Sequence, residues 1–157
     1  MRVRQLTPAD APACDAIIAG LPDWFGDETG IRECAAAVRS QPGFVATTDD
    51  AVAGFLMVSR PRPHVAEISW MAVHPDHRRE GHGRALVDAL VQTLHDDGTR
   101  LLMVKTLSDR DPYPPYAETR AFYEAMGFFP VLDLDIWGPE NPALLFVRSV
   151  TRPHDDR

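Results

Sequence analysis

The segment Val73-His74-Pro75-Asp76-His77-Arg78-Arg79-Glu80-Gly81-His82-Gly83-Arg84 joins a run of strand character to a run of helical character. Its two glycines fall where the helix should start. Backbone N–H groups at a helix N-terminus lack intrahelical partners and lie at the positive end of the helix dipole. Glycine removes the Cβ atoms that would hold a ligand off, so Gly81 and Gly83 suit this turn to a phosphate group. Arg78, Arg79 and Arg84 against Glu80 give the turn a local charge of +2. The glycine spacing alone is equally compatible with a tight turn bearing solvated arginines. No Lys-Ser/Thr pair follows the second glycine, as an ATP-type phosphate loop requires, and the three-glycine dinucleotide fingerprint is incomplete. His74, His77 and His82 match no zinc-ligand spacing, so no metal is expected.

Working outward, Val65 to Val73 reads as a long strand entering the turn. Beyond the turn, Leu86, Ala89, Leu90, Thr93 and Leu94 mark an amphipathic helix that ends at Gly98. Leu101 to Thr106 is a continuous apolar run, the pattern of a buried central strand. Pro112, Pro114 and Pro115 argue against regular structure there. A helix then runs from about Tyr116 to Met126, followed by strands near Val131–Ile136 and Ala143–Val150. Upstream, Val3 to Leu6 is a short strand. Thr7 and Pro8 have the chemistry of an N-cap and first helical position for a helix from Pro8 to about Ala19, with Asp10 near the capping-box position. A second helix is expected over about Thr29 to Ser40. Phe44–Thr47 and Val52–Ser59 flank Thr48-Asp49-Asp50-Ala51 and read as a hairpin. The order defines an α/β fold: a mixed sheet of about seven strands, four helices and a central strand–helix–strand crossover. One domain over residues 1–150 and a short polar tail over 151–157 are expected.

The whole chain has 157 residues, with 16 Lys+Arg against 23 Asp+Glu and a formal charge of −7. That balance argues against a general nucleic-acid binder, which needs a basic field, while leaving room for one local anion site. Cys14 and Cys34 have neither CxxC nor Cys/His spacing, so a reducing cytoplasm is the expected setting. Apolar runs are too short to span a bilayer and the N-terminus has no apolar signal core, so no membrane association is expected.

Arg78-x-x-Gly81-x-Gly83, following Met71-Ala72-Val73-His74-Pro75, resembles the Arg/Gln-x-x-Gly-x-Gly/Ala pyrophosphate loop of the GNAT superfamily of acyl-CoA N-acetyltransferases. Thr119-Arg120-Ala121-Phe122-Tyr123-Glu124-Ala125-Met126-Gly127-Phe128 resembles the later helix of that superfamily. The element order matches along nearly the whole chain. Leu21-Pro-Asp-Trp-Phe-Gly26, Tyr116-Ala-x-Thr-Arg-x-Phe-Tyr123 and Trp137-Gly-x-x-Asn-Pro142 look like a bacterial subgroup of it.

The resemblance implies that acetyl-CoA is the cofactor and CoA the product. It implies that the amides of Arg79, Glu80, Gly81, His82, Gly83 and Arg84 hold the pyrophosphate, with Arg78 beside them. Met71, Ala72 and Val73 would meet the pantetheine arm, on a fourth strand that splays from the fifth. Extra backbone groups at a bulge are free to pair with such a ligand. Tyr123 takes the family's general-acid position, and a phenol with a pKa near 10 reaches neutral pH still protonated; its other reading is a core aromatic beside Phe122 and Met126. Glu67, the one acid between Gly54 and Met71, shares a strand face with Ser69 and corresponds to the base of some histone-acetylating relatives. A solvated carboxylate or a structural ion pair is the alternative. Tyr116 and Thr119 replace the usual Asn and Ala but recur with Tyr123 on one side of the helix, so all three are expected at the cofactor.

In such a fold the first two helices and their loop form a lip of the acceptor site. Asp10, Asp15, Asp23, Asp27, Glu28 and Glu33 against Arg32 make that region net −5. An acidic lip favours a cationic amine; solvated helix faces explain the same charges. Trp24 and Phe25 either stack on a substrate or plug the core, and Trp137 could line the opposite wall. The leading expectation is acetyl transfer to a primary amine of a small molecule or protein by a monomer or homodimer. The rivals are a non-catalytic acyl-CoA-binding module and a nucleotide-phosphate binder.

Overall fold

The computed structural model describes residues 1–150; the tail expected over 151–157 lies outside the described residues. Eleven elements follow one another: β1 (Arg2–Gln5), α1 (Ala11–Ala19), α2 (Glu28–Ser40), β2 (Gly43–Thr48), β3 (Ala51–Arg62), β4 (Val65–Val73), α3 (His82–Asp96), β5 (Leu101–Leu107), α4 (Pro115–Ala125), β6 (Phe129–Leu134) and β7 (Ala143–Ser149). The strands form a seven-stranded sheet in the order β1-β2-β3-β4-β5-β7-β6. β4 and β5 are parallel, joined through α3, while β5–β7 and β6–β7 are antiparallel. This is the mixed α/β architecture expected from the element order.

Local chemistry explains where the elements begin and end. The first helix opens as a 3-10 turn over Pro8–Asp10 before α1. Pro12 has no N–H to reach back to the Pro8 carbonyl, and the Ala11 N–H bonds that carbonyl in its place. Asp27 caps α2 by accepting from the N–H groups of Thr29 and Gly30, so the helix starts at Glu28. Asp49 and Asp50 both take positive φ, 49° and 65°, the conformation that a two-residue hairpin turn between β2 and β3 demands. Pro115 occupies the first position of α4, where the missing N–H costs nothing. Prolines there start a helix; the expectation that they exclude regular structure fails at this residue.

The chain divides into two units, Met1–Ser59 with Ser69–Thr93, and Arg60–Ile68 with the chain from Leu94 on. In the first, Cys14, Ile17, Ile18, Cys34, Ala37 and Val38 pack from α1 and α2 onto Val45, Phe55, Met57 and Ala72 of the sheet. Both cysteines are free thiols, and burial pushes each up to about 12. In the second unit, the buried residues include Leu102, Val104, Phe128, Leu144 and Phe146. The β4–β5 ladder runs only from Val65↔Leu101 to Ile68↔Val104, whereas β4 continues to Val73 and β5 to Leu107. β6 lies at the sheet edge, with Pro130 tolerated beside a bulge and Phe129, Val131 and Leu132 exposed. Among the described residues, no helix is long and apolar enough to cross a membrane.

Candidate functional site

After Val73 the chain makes a 3-10 turn over Pro75–His77 and enters α3 at His82. The His74 N–H donates to the Ala53 carbonyl at 2.7 Å, and its Nδ1 accepts from the Asp76 N–H at 3.1 Å. Arg79 and Gly81 then take positive φ, 64° and 87°. The Gly81 carbonyl accepts the Ala85 N–H at 3.0 Å, which closes the first turn of α3 and leaves the opening amides aimed outward. A Cβ added at Gly81 would meet nothing nearer than the Met1 methyl at 3.8 Å. The space over Gly81 is therefore open, as an anion cradle requires.

Side chains of the first unit brace the turn. The Arg78 guanidinium lies over the Trp24 ring, 4.7 Å from its centroid, and Phe25 packs 6.0 Å from Trp70. Trp24 and Phe25 are half-buried against the α1–α2 core, so each keeps part of its ring surface accessible. Glu80 Oε2 sits 3.1 Å from His77 Nδ1 and 3.2 Å from His82 Nε2. Hydrogen bonding to His77, then to His82, holds the Glu80 carboxyl below the usual range. On β4, Ala72 is buried and Met71 and Val73 are half-buried. A Cβ at Gly54 would come within 3.1 Å of the Ala72 carbonyl, so glycine there permits the close approach of β3 to this strand. Ser69 donates to Gln41, a partner that nothing in the sequence pattern identified.

In the second unit, Glu67 is nearly buried and pairs with Lys105, Nζ to Oε1 at 3.3 Å. Its Oε2 is buried without a hydrogen-bond partner. Sequence reasoning missed Lys105. Its signal was present, since it is the one charge in the run Leu101–Leu107, but the partner emerges only from the β4–β5 register. Tyr123 is buried, with the rings of Phe122, Phe128 and Phe146 at 5.3, 5.5 and 6.1 Å. It is more buried than Phe122, the reverse of a helix whose core aromatic is Phe122. Burial, with Tyr116 nearby, pushes its phenol well above the usual range. Tyr116 and Thr119 are half-buried on α4, and Trp137 is exposed beyond β6. Two unforeseen arginines hold α4 in place: Arg120 donates to the Leu107 carbonyl at 2.9 Å and Arg148 to the Met126 carbonyl at 2.7 Å.

The acidic region before residue 34 is partly committed to structure. Asp10 pairs with Arg4, Asp15 with Arg39, and Asp27 caps α2. At least three of the six acids therefore do work within the fold.

A family model described as the acetyltransferase (GNAT) family matches residues 12–128, and the chain belongs to that family. A sequence comparison with curated proteins finds no match. Solved structures share the fold at low identity. One, assigned to the GNAT family from Desulfovibrio desulfuricans, has a TM-score of 0.84 and 23% identity, covering 96% of this chain and 99% of its own. The ribosomal-protein-S18-alanine N-acetyltransferase of Escherichia coli has a TM-score of 0.78 and 20% identity, covering 99% and 97%. An aminoglycoside 6'-N-acetyltransferase complexed with coenzyme A has a TM-score of 0.75 and 16% identity, covering 99% and 100%. Acetyl-CoA is the acyl donor of the family.

Proposed function

We propose that this chain transfers the acetyl group of acetyl-CoA directly to a primary amine of a small molecule or a protein. The observation that carries the reading is the Arg78–Arg84 turn, with its open backbone at Gly81 and a helix N-terminus behind it, in a member of this family. When bound, acetyl-CoA supplies an acetyl group activated as a thioester. The amides of Arg79 to Arg84 hold the diphosphate, and the Arg78 guanidinium, braced by Trp24, adds charge beside it. The backbone of Met71, Ala72 and Val73 pairs with the pantetheine arm in the manner of an added strand. Tyr116 and Thr119 flank the same ligand from α4.

Direct transfer needs a neutral amine and a proton for the departing thiolate. Tyr123 donates that proton, its phenol being protonated at neutral pH. The burial that raises its pKa makes it a weaker acid, so the donation depends on its being placed against the departing sulfur. Glu67 takes the proton of the incoming amine, directly or through water, with Lys105 fixing one carboxylate oxygen and leaving Oε2 unpaired. The acidic excess before residue 34, Glu28 and Glu33 included, favours a cationic acceptor, and Trp137 supplies a further apolar contact. A reducing cytoplasm suits the free Cys14 and Cys34 thiols.

Thiol release from acetyl-CoA, followed across a panel of amines, tests this reading. Tyr123→Phe is expected to lose about 10²–10⁴-fold in rate with CoA binding preserved, and Glu67→Gln to lose rate without losing CoA. A wild-type rate in Tyr123→Phe removes its acid role. Firm CoA binding with no turnover on any amine would favour the acyl-CoA-binding module.

A further inference from the structure

We propose that His77, Glu80 and His82 form a site for a single divalent transition-metal ion of the zinc class. Their spacing, His-x-x-Glu-x-His, fits no pattern that one helix or strand could bring to a common point. The fold supplies the convergence by other means. Glu80 is bracketed by two residues of positive φ, Arg79 at 64° and Gly81 at 87°, which turn the chain back on itself. His77, ending the 3-10 turn, and His82, opening α3, thereby meet across the Glu80 carboxylate.

One ligand atom from each of His77, Glu80 and His82 lies within 4.8 Å of the other two. Two of the three edges, at 3.1 and 3.2 Å, are close to ligand–ligand separations about a tetrahedral ion. Bonds of about 2.0–2.2 Å imply edges of roughly 3.3–3.6 Å. The third edge closes by rotation of His77 and Glu80, both of which reach solvent. His82 is the fixed member: its side chain is only 3% exposed. Its Nδ1 is buried without a hydrogen-bond partner, so no donor reserves that nitrogen. The ring proton can move there and free Nε2 to bind the ion. The His74 ring lies tilted beside that of His77, centroids 5.5 Å apart, but spends its Nδ1 on the Asp76 amide, so it stands outside the donor set.

Two imidazoles and one carboxylate suit zinc, cobalt or nickel and not magnesium or calcium, which want oxygen alone. Three protein donors leave a fourth position for water or another exchangeable ligand. The ion needs both rings neutral and the Glu80 carboxylate ionised, so affinity falls with acidity. The site uses side chains, where the acyl-CoA reading uses backbone amides, and either can fail without the other.

Cobalt(II), titrated into the untagged full chain after chelator treatment, reads the site by its visible d–d absorption, independently of any activity. One equivalent is expected to bind with the intense bands of low-coordinate cobalt, and zinc is expected to displace it. His77→Gln and Glu80→Gln are expected to weaken binding by about tenfold or more; both positions reach solvent, and thermal melts establish that the variants fold. Zinc should raise the melting temperature of the wild type more than that of Glu80→Gln at the same concentration. Absence of saturable cobalt uptake, or uptake equal in wild type and both variants, overturns the proposal. If Glu80→Gln lowers the melting temperature while the wild type takes up no cobalt, the cluster is only a hydrogen-bonded clip.

Discussion

Asp10 shows how much one carboxylate can carry. It receives two hydrogen bonds from the Arg4 guanidinium at 2.8 Å and one from the Thr7 amide at 2.9 Å, and it is buried. These bonds, the Arg4 contact foremost, hold its carboxyl down to about 2. A depressed carboxylate pKa stabilises the fold above the unfolded value near 4, and that contribution disappears as pH falls through 2. Asp10→Asn is expected to cost about 2 kcal/mol at neutral pH in urea unfolding. The gap to wild type should close progressively between about pH 4 and pH 2; a gap that stays constant across that range would refute the assignment. The Thr7–Asp10 relation was legible in the sequence because capping chemistry is local. Arg4 as the principal partner was not, since nothing in a four-residue strand says which side chain folds back over a helix start. Glu67 repeats the lesson: its place on β4 followed from alternation, but Lys105 is thirty-eight residues away and meets it only through strand register.

At the scale of elements, the turn before α3 offers the sharpest test. Gly81 combines a φ of 87° with open space, so alanine there would be strained by backbone conformation and not by collision. Gly81→Ala is expected to destabilise the fold by about 1–2 kcal/mol. It should also weaken CoA binding measured by calorimetry, because the added methyl stands over the proposed cradle. Unchanged affinity in a folded Gly81→Ala protein would place the diphosphate elsewhere. Most elements were legible from period and punctuation: β4 was expected over the residues it occupies, and α3 and α4 differ by a residue or two at their ends. The exceptions have definite causes. Pro12 converts the first helical turn to 3-10, and Pro115 begins α4 one residue before the expected start, where the prolines had argued against regular structure. β6 starts two residues early, at Phe129, because its register with β7 decides its extent, and Pro130 is admissible only at an edge. Periodicity along one strand contains no information about its partner.

For the molecule as a whole, the formal charge of −7 conceals opposite local fields. The +2 turn and the acid-rich first helices were both visible in the sequence. That Asp10, Asp15 and Asp27 are already engaged became visible only with the fold. A ligand that binds the folded chain alone stabilises it by mass action, by about 2.7 kcal/mol at one hundred times its Kd. Saturating acetyl-CoA is therefore expected to raise the melting temperature by roughly 5–10 °C for a chain of this size. ATP at the same concentration should give no comparable rise; an equal rise would favour the nucleotide-phosphate reading.

The helix pair α1–α2 closes over two thiols that burial holds up to about 12, so in the native chain they are neither nucleophilic nor reachable. A thiol-specific reagent therefore meets Cys14 and Cys34 only when the helices part from the sheet. The rate of covalent labelling becomes a stopwatch for that opening, reporting fluctuations too rare for an equilibrium melt to register. The same silence means that a colorimetric thiol assay on the folded protein sees released CoA against almost no protein background.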